Sequence, residues 1–228
     1  MLADPAPLDM LYFDRPPFLV EQGGTVGGAI GDRVSAAARQ AGIPLNWVPL
    51  PNMRLWRTLQ SNARACSAGW FLTPARQRDL KPTTPIWLDT PLVLLMPSSG
   101  PEALRRLPIR RLLADPKVRV VLKDGFSYGV TLDDWLDGAA ANLMRVSPDL
   151  VSIGTMIGME RGDLTILPQE EALEVVARAA GAVTLVRPPD MPRGEWRYIL
   201  CSLAVEDGVV ARLSQAIDTL YADKTARH

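Results

Sequence analysis

The chain has 228 residues, 47% of them hydrophobic, and its 25 basic residues balance 25 acidic ones. This is the composition of a globular protein with ample core, built as one large domain or two small ones. Zero net charge offers no general attraction to nucleic acid or anionic membranes, and no apolar stretch approaches the length of a membrane span.

The opening "MLADPAPLDML" lacks the charged and apolar regions of a signal sequence. It fits a cytoplasmic protein beginning at Met1 or the polar lead-in of a cleaved secreted protein. Leu8 to Phe13 reads as a strand. "DRPPFLVEQGG" reads as a loop, because Pro16 and Pro17 cannot continue a ladder and Gly23-Gly24 turns. Ile30, Val34, Ala37, Ala38 and Ala41 share one helical face that Gly42 ends. Pro44 to Val48 is a second strand, Asn52 caps a helix carrying Leu55 and Leu59, and Cys66 to Leu72 is a third strand. The β-α-β-α-β order predicts a mostly parallel sheet covered by helices.

Ile86 to Met96 is extended and apolar. Residues 97–117 turn polar and basic, with Arg105, Arg106, Arg110 and Arg111, and read as a solvated helix face. A second alternating unit follows. Val118 to Lys123 is a strand, "KDGFSYG" a loop, Val130 to Leu136 a helix start and Leu143 to Val146 a strand. Ser152 caps a helix with Ile153, Met156, Ile157 and Met159. Leu164 to Leu167, Glu170 to Ala180 and Val183 to Val186 read as strand, helix and strand. After the loop "RPPDMPRGEW", Tyr198 to Val205 is strand-like, and Val210, Leu213, Ile217 and Leu220 mark a closing helix. Extended segments near 91–96 and 198–203 flank the second unit, the pattern of one α/β unit inserted into another. The expected division is 1–95 with 199–228, and 96–198.

Few residues carry obvious chemistry. His228 is the only histidine, so no histidine catalysis or His/Cys metal centre is expected; no catalytic residue, metal or cofactor is nominated. Cys66 and Cys201 are two buried hydrophobes or one disulfide in an oxidising compartment. "YFDRPPF" puts aromatics, Arg15 and a rigid diproline at a strand end, a good pocket wall. "KDGFSYG" offers amides and the Ser127 hydroxyl at a helix start, where anions are favoured. No nucleotide-binding glycine motif is present. Pro168-Gln169-Glu170-Glu171 ends a strand, and its acids suit a first helical turn.

These pieces, in this order, resemble the family 3 extracellular solute-binding proteins, the amino-acid-binding type of the class II periplasmic binding fold. The resemblance rests on Phe13, Pro16, Pro17 and Phe18, on Gly27-Gly28 with Asp32, and on Thr73 with Arg76. In the second half it rests on "VVLKDGFSYG" and "GMERGDLTIL". It covers nearly the whole chain. A poorly characterised branch with two cysteines is similar at Cys66 and Cys201, which implies a disulfide in the first lobe. The fold implied is two-lobed α/β with mixed sheets, helices on both faces and two crossing hinge strands.

The function implied is that of a periplasmic protein binding a small molecule, a carboxylate above all, in the cleft between lobes. It would be non-enzymatic, monomeric and without a nucleic-acid partner, and it would serve an ABC permease or a membrane sensor. The implied ligand set is Phe13, Arg15, Trp70, Phe71, Thr73 and Arg76 from the first lobe, with Phe126, Ser127, Tyr128 and Gln169 from the second. In the family the arginine of Thr-x-x-Arg, here Arg76, holds the ligand carboxylate with its planar fork. Two departures stand out. Phe71 replaces a hydroxyl residue, and Pro168 stands near where an ammonium-binding aspartate is usual. Both argue for a flatter or more apolar ligand than an ordinary amino acid. The same fold also carries dehydratases, for which Glu170 or Glu171 would be the acid, and effector domains of regulators, whose helix-turn-helix has no counterpart ahead of Leu8.

Overall fold

A computed structural model describes residues 6–225. His228 and the first five residues lie outside the described residues.

The chain begins with β1 (Leu8–Tyr12), β2 (Val20–Gln22), β3 (Thr25–Gly27), α1 (Gly28–Gln40), β4 (Leu45–Pro49) and α2 (Asn52–Leu59). It continues with β5 (Ala65–Phe71), α3 (Pro74–Asp79), β6 (Lys81–Pro82) and β7 (Trp87–Leu88). Next come β8 (Val93–Pro97), α4 (Glu102–Arg105), α5 (Ile109–Leu113), β9 (Arg119–Lys123), α6 (Val130–Asp137) and β10 (Asn142–Val146). Then follow α7 (Leu150–Gly158), β11 (Leu164–Leu167), α8 (Gln169–Arg178) and β12 (Val183–Val186). The chain closes with β13 (Trp196–Cys201) and α9 (Asp207–Thr225).

Two compact units result. The first runs to Leu88 and resumes at Trp196; the second is Asp89–Glu195. The expected crossing near 91–96 is corrected: Val93–Pro97 is wholly buried and pairs with β11 on one side and β12 on the other, inside the second sheet. Five consecutive apolar residues need cover on both faces, and a central strand provides it. The chain passes between units instead at 88/89 and 195/196. There Asp89 N–H donates to the Glu195 carbonyl at 3.1 Å. An added Cβ on Gly194 would overlap the Asp89 carbonyl oxygen, so only glycine fits beside it.

In the first unit the strand order is β4-β1-β5-β13-β6, with β7 also on β13. β1, β4 and β5 are parallel, and β13 runs antiparallel to β5. One face packs Leu8, Met10, Cys66 and Ala68 on Ile30 and Val34 of α1 and Leu213 and Ile217 of α9. The other packs Leu11, Ala65 and Leu200 on Leu55 and Leu59 of α2. In the second unit the order is β10-β9-β11-β8-β12, again mixed. Val120 and Leu122 face α5 and α6, while Val121 faces Ile153 and Ile157 of α7. Strands covered on both faces read as unbroken apolar runs.

Three local expectations need correcting. The predicted loop contains a hairpin, β2–β3, turned by Gly23 and Gly24 at φ 57° and 92°, the signature of a two-residue primed turn. Asn52 is the first residue of α2, and the N-cap position before it is held by Pro51. Asp149, not Ser152, caps α7: its carboxylate accepts from the Ser152 amide at 2.8 Å. Acceptance of that amide bond, foremost, holds the Asp149 carboxyl below its usual range.

Candidate functional site

The site nominated in the first unit grows from an irregularity in β5. Cys66 and Ala68 face α1, so alternation would send residue 70 the same way. Gly69 interrupts it. It has φ 88° and is skipped in the pairing with β13, where the register shifts between Tyr198 and Ile199. One extra residue in a ladder reverses the facing of everything beyond it. Trp70 therefore joins the α2 face, beside Trp56 and Phe13. Their rings form a chain: Phe13 to Trp70 at 6.0 Å and Trp70 to Trp56 at 4.4 Å between centroids. The Trp70 indole N–H donates to Ser67 Oγ at 2.9 Å.

After β5, Thr73 is the N-cap of α3, and its hydroxyl accepts from the Arg76 amide at 3.3 Å. Arg76 turns back over the aromatic chain. Its guanidinium carbon lies 4.5 Å from the Trp56 ring centre and 5.3 Å from that of Trp70. Nη1 donates to the Phe71 carbonyl at 2.8 Å. The structure thus brings Phe13, Trp70, Thr73 and Arg76 together, with Phe71 joining them through its carbonyl alone.

On the opposite side of the bulge the Gly69 carbonyl collects two other arginines. Arg197 Nη1 donates to it at 2.7 Å, and Arg15 Nη1 reaches it at 3.5 Å. Arg197 lies 4.2 Å from the Phe71 ring centre, and both guanidinium carbons lie 5.4 Å from that of Phe18. The two side chains are buried, 7% exposed for Arg15 and 3% for Arg197. Sequence reading nominated Arg15 and missed Arg197 and Trp56. A signal existed for Arg197, the charged residue at an inward position of "WRYILC", but none singled out Trp56.

The candidates of the second unit are held within that unit. The Ser127 hydroxyl donates to Asp133 Oδ2 at 2.5 Å, and the Tyr128 amide donates to Oδ1 at 2.8 Å. Tyr128 lies in the core; its hydroxyl accepts from the Lys123 amide at 2.8 Å, and burial raises its pKa. Phe126 packs partly buried against the α5–α6 core. Gln169 Oε1 accepts from Arg187 Nη2 at 2.9 Å. The anion-favouring start of α6 is occupied by Glu195, whose carboxylate accepts from the Val130 and Thr131 amides and abuts Gly129. Glu171 is buried, 1% exposed. Among the described residues no group of three or more His, Cys, Asp or Glu is placed to hold a metal ion.

Cys66 and Cys201 form a disulfide, with S–S 2.00 Å, at facing positions of β5 and β13. Both lie in the first unit, as the resemblance implied.

No family model matches the chain, and no curated protein matches it. Solved structures do. The chain is similar to ArtJ, the arginine-, lysine-, histidine-binding protein of Geobacillus stearothermophilus, at TM-score 0.77 and 15% identity over 96% of this chain and 90% of that one. It is similar to an ancestral arginine-binding protein bound to glutamine, at TM-score 0.73 and 15% identity over 96% and 93%. A third is the ancestral amino acid-binding protein AncCDT-1, a precursor of cyclohexadienyl dehydratase, at TM-score 0.72 and 17% identity over 96% and 90%. The fold is the two-lobed α/β fold of the class II periplasmic binding proteins.

Proposed function

We propose that the protein is a non-enzymatic solute-binding protein for a small carboxylate-bearing molecule, working outside the cytoplasm with an ABC permease or a membrane sensor. The carrying observation is the Arg76 guanidinium, set beside Phe71 at the end of β5 and laid over Trp56 and Trp70. A permanently charged planar fork beside apolar rings suits a ligand with an acidic end and a flat body. The fold likeness supports the reading, since the similar structures are named as binding proteins for arginine, lysine, histidine or other amino acids. A disulfide suits an oxidising compartment. Phe13, Arg15, Thr73, Phe126, Ser127, Tyr128 and Gln169 complete the nominated ligand set.

Thermal unfolding against a panel of amino acids, aromatic acids and short aliphatic acids tests this. Binding to the native state raises the midpoint by mass action. At least one carboxylate should raise it, its neutral amide should not, and Arg76→Ala should erase the shift. No shift with any carboxylate, or a shift untouched in Arg76→Ala, would sink the assignment. A dehydratase reading has one point in its favour, the likeness to AncCDT-1. It requires turnover of a cyclohexadienyl acid that Glu170→Gln or Glu171→Gln abolishes.

A further inference from the structure

In the second sheet β11 and β12 both run antiparallel to β8, one on each side of it. They therefore point the same way, and β9 is parallel to β11. All three strands end at one edge of the sheet, the carboxyl-end position that ligands favour in such folds. Leu167 of β11 faces Val93, and Val186 of β12 faces the neighbouring Leu94. Gln169 and Arg187 follow directly on these strand ends. They start two strand spacings apart, about 10 Å, with β8 between them.

Arg187 bridges that gap. Its Nε and Nη2 both donate to Gln169 Oε1, at 3.1 and 2.9 Å. A guanidinium carries donors only, so only the oxygen of the Gln169 amide can face it. The amino group of that amide is left on the other side, with no hydrogen bond among the described residues. Other polar candidates at this edge are engaged within the unit: the Ser127 hydroxyl donates to Asp133, and the Tyr128 hydroxyl accepts from the Lys123 amide. Gln169 is half-buried and Arg187 exposed, so a solute can reach the pair. The pair offers N–H donors and a positive charge, and no acceptor. An ammonium group brings donors of its own and is repelled by the guanidinium, whereas a carboxylate suits both. A rival anchor for an ammonium is the next residue, Glu170; Glu171 is buried, 1% exposed.

We infer that Arg187 is a positioning residue for ligand selection: it holds the Gln169 carbonyl, so that this side chain gives the ligand donors only. The end of the ligand met by the second unit is then an anionic acceptor, and the ligand class is a dicarboxylate. The inference rests on the function proposed above. It adds a residue absent from the nominated ligand set, and it selects one class among the carboxylates.

Titration of the full chain with matched pairs tests this. The dicarboxylates are succinate, glutarate and adipate. Their partners, with one carboxylate replaced by ammonium, are β-alanine, γ-aminobutyrate and δ-aminovalerate. The wild type should bind at least one dicarboxylate more tightly than its partner. Arg187→Met frees the amide to turn its oxygen outward and should lower that ratio about 3- to 10-fold, the worth of about one hydrogen bond. Arg187→Lys, which still donates, should keep most of it, and Gln169→Glu should shift preference toward the amino acid. In the ligand-free protein labelled with nitrogen-15, the Gln169 side-chain amide signals are assigned by their loss in Gln169→Ala. They should move toward those of free glutamine in Arg187→Met. Signals unmoved in folded Arg187→Met, or an unchanged binding ratio there, overturn the inference alone. So does a wild type that prefers the amino acids, or one that binds only monocarboxylates, and neither needs a folded variant. A wild type that binds no carboxylate of any kind overturns the proposed function as well.

Discussion

At the scale of single residues, Glu195 shows how a half-buried carboxyl couples the second unit to pH. Burial raises its pKa above the usual glutamate range, with Asp133 and Asp89 adding to it, while the Val130 and Thr131 amides pull the other way. A carboxyl with a raised folded-state pKa keeps its proton where the unfolded chain has released it. Its stabilisation is therefore complete below the ordinary glutamate value of about 4.3 and is lost as pH rises through the raised value. Glu195→Gln keeps the oxygen acceptor and removes the titration. Its melting temperature relative to wild type should rise as pH climbs above the ordinary glutamate range and level off at acid pH. A parallel pair of pH profiles would refute this. Gly69 carries the other lesson at this scale. A glycine inside an apolar strand is a readable bulge signal. Its effect on Trp70 was not readable, because facing beyond a bulge depends on how the partner strand skips it. So the sequence put Trp70 and Arg76 in one neighbourhood but could not place Trp56 beneath them.

At the scale of elements, most strands and helices were legible from apolar periodicity, and their ends were not. Val118–Lys123 and Leu164–Leu167 are apolar runs that became β9 and β11. The start of α7 is ambiguous in the sequence, since "SPDLVSIG" offers Asp149 and Ser152 as rival caps three residues apart. The structure selects Asp149, which accepts from the Ser152 amide at 2.8 Å and from its hydroxyl at 3.1 Å. Asp149→Ala should cost about 1 kcal/mol in denaturant unfolding, and Ser152→Ala much less. The reverse order would restore Ser152 as the cap. The place of β8 is ambiguous in the sequence for a related reason. A buried apolar strand looks the same in either sheet, and only its hydrogen-bond partners decide which unit owns it.

At the scale of the whole molecule, the first unit is assembled from two stretches of chain with another unit between them. Its middle sheet pair, β5 and β13, joins those stretches through hydrogen bonds and through Cys66–Cys201, a separation of 135 residues. A link across so long a loop restricts the unfolded chain strongly. Replacing both cysteines by alanine should lower unfolding stability by about 2–5 kcal/mol. The loss should appear in the first unit, read by Trp56 and Trp70 fluorescence, and a change below 1 kcal/mol would show that hydrogen bonding alone secures the pair. The disulfide has a further consequence. It closes residues 66–201 into a covalent ring from which two tails emerge. The second unit is a segment of that ring, anchored at both ends however it folds or breathes. A protease that cuts the ring once yields a product whose two fragments stay covalently joined. They part only on reduction, so the oxidised protein can be nicked in its second unit and still keep both halves of its first.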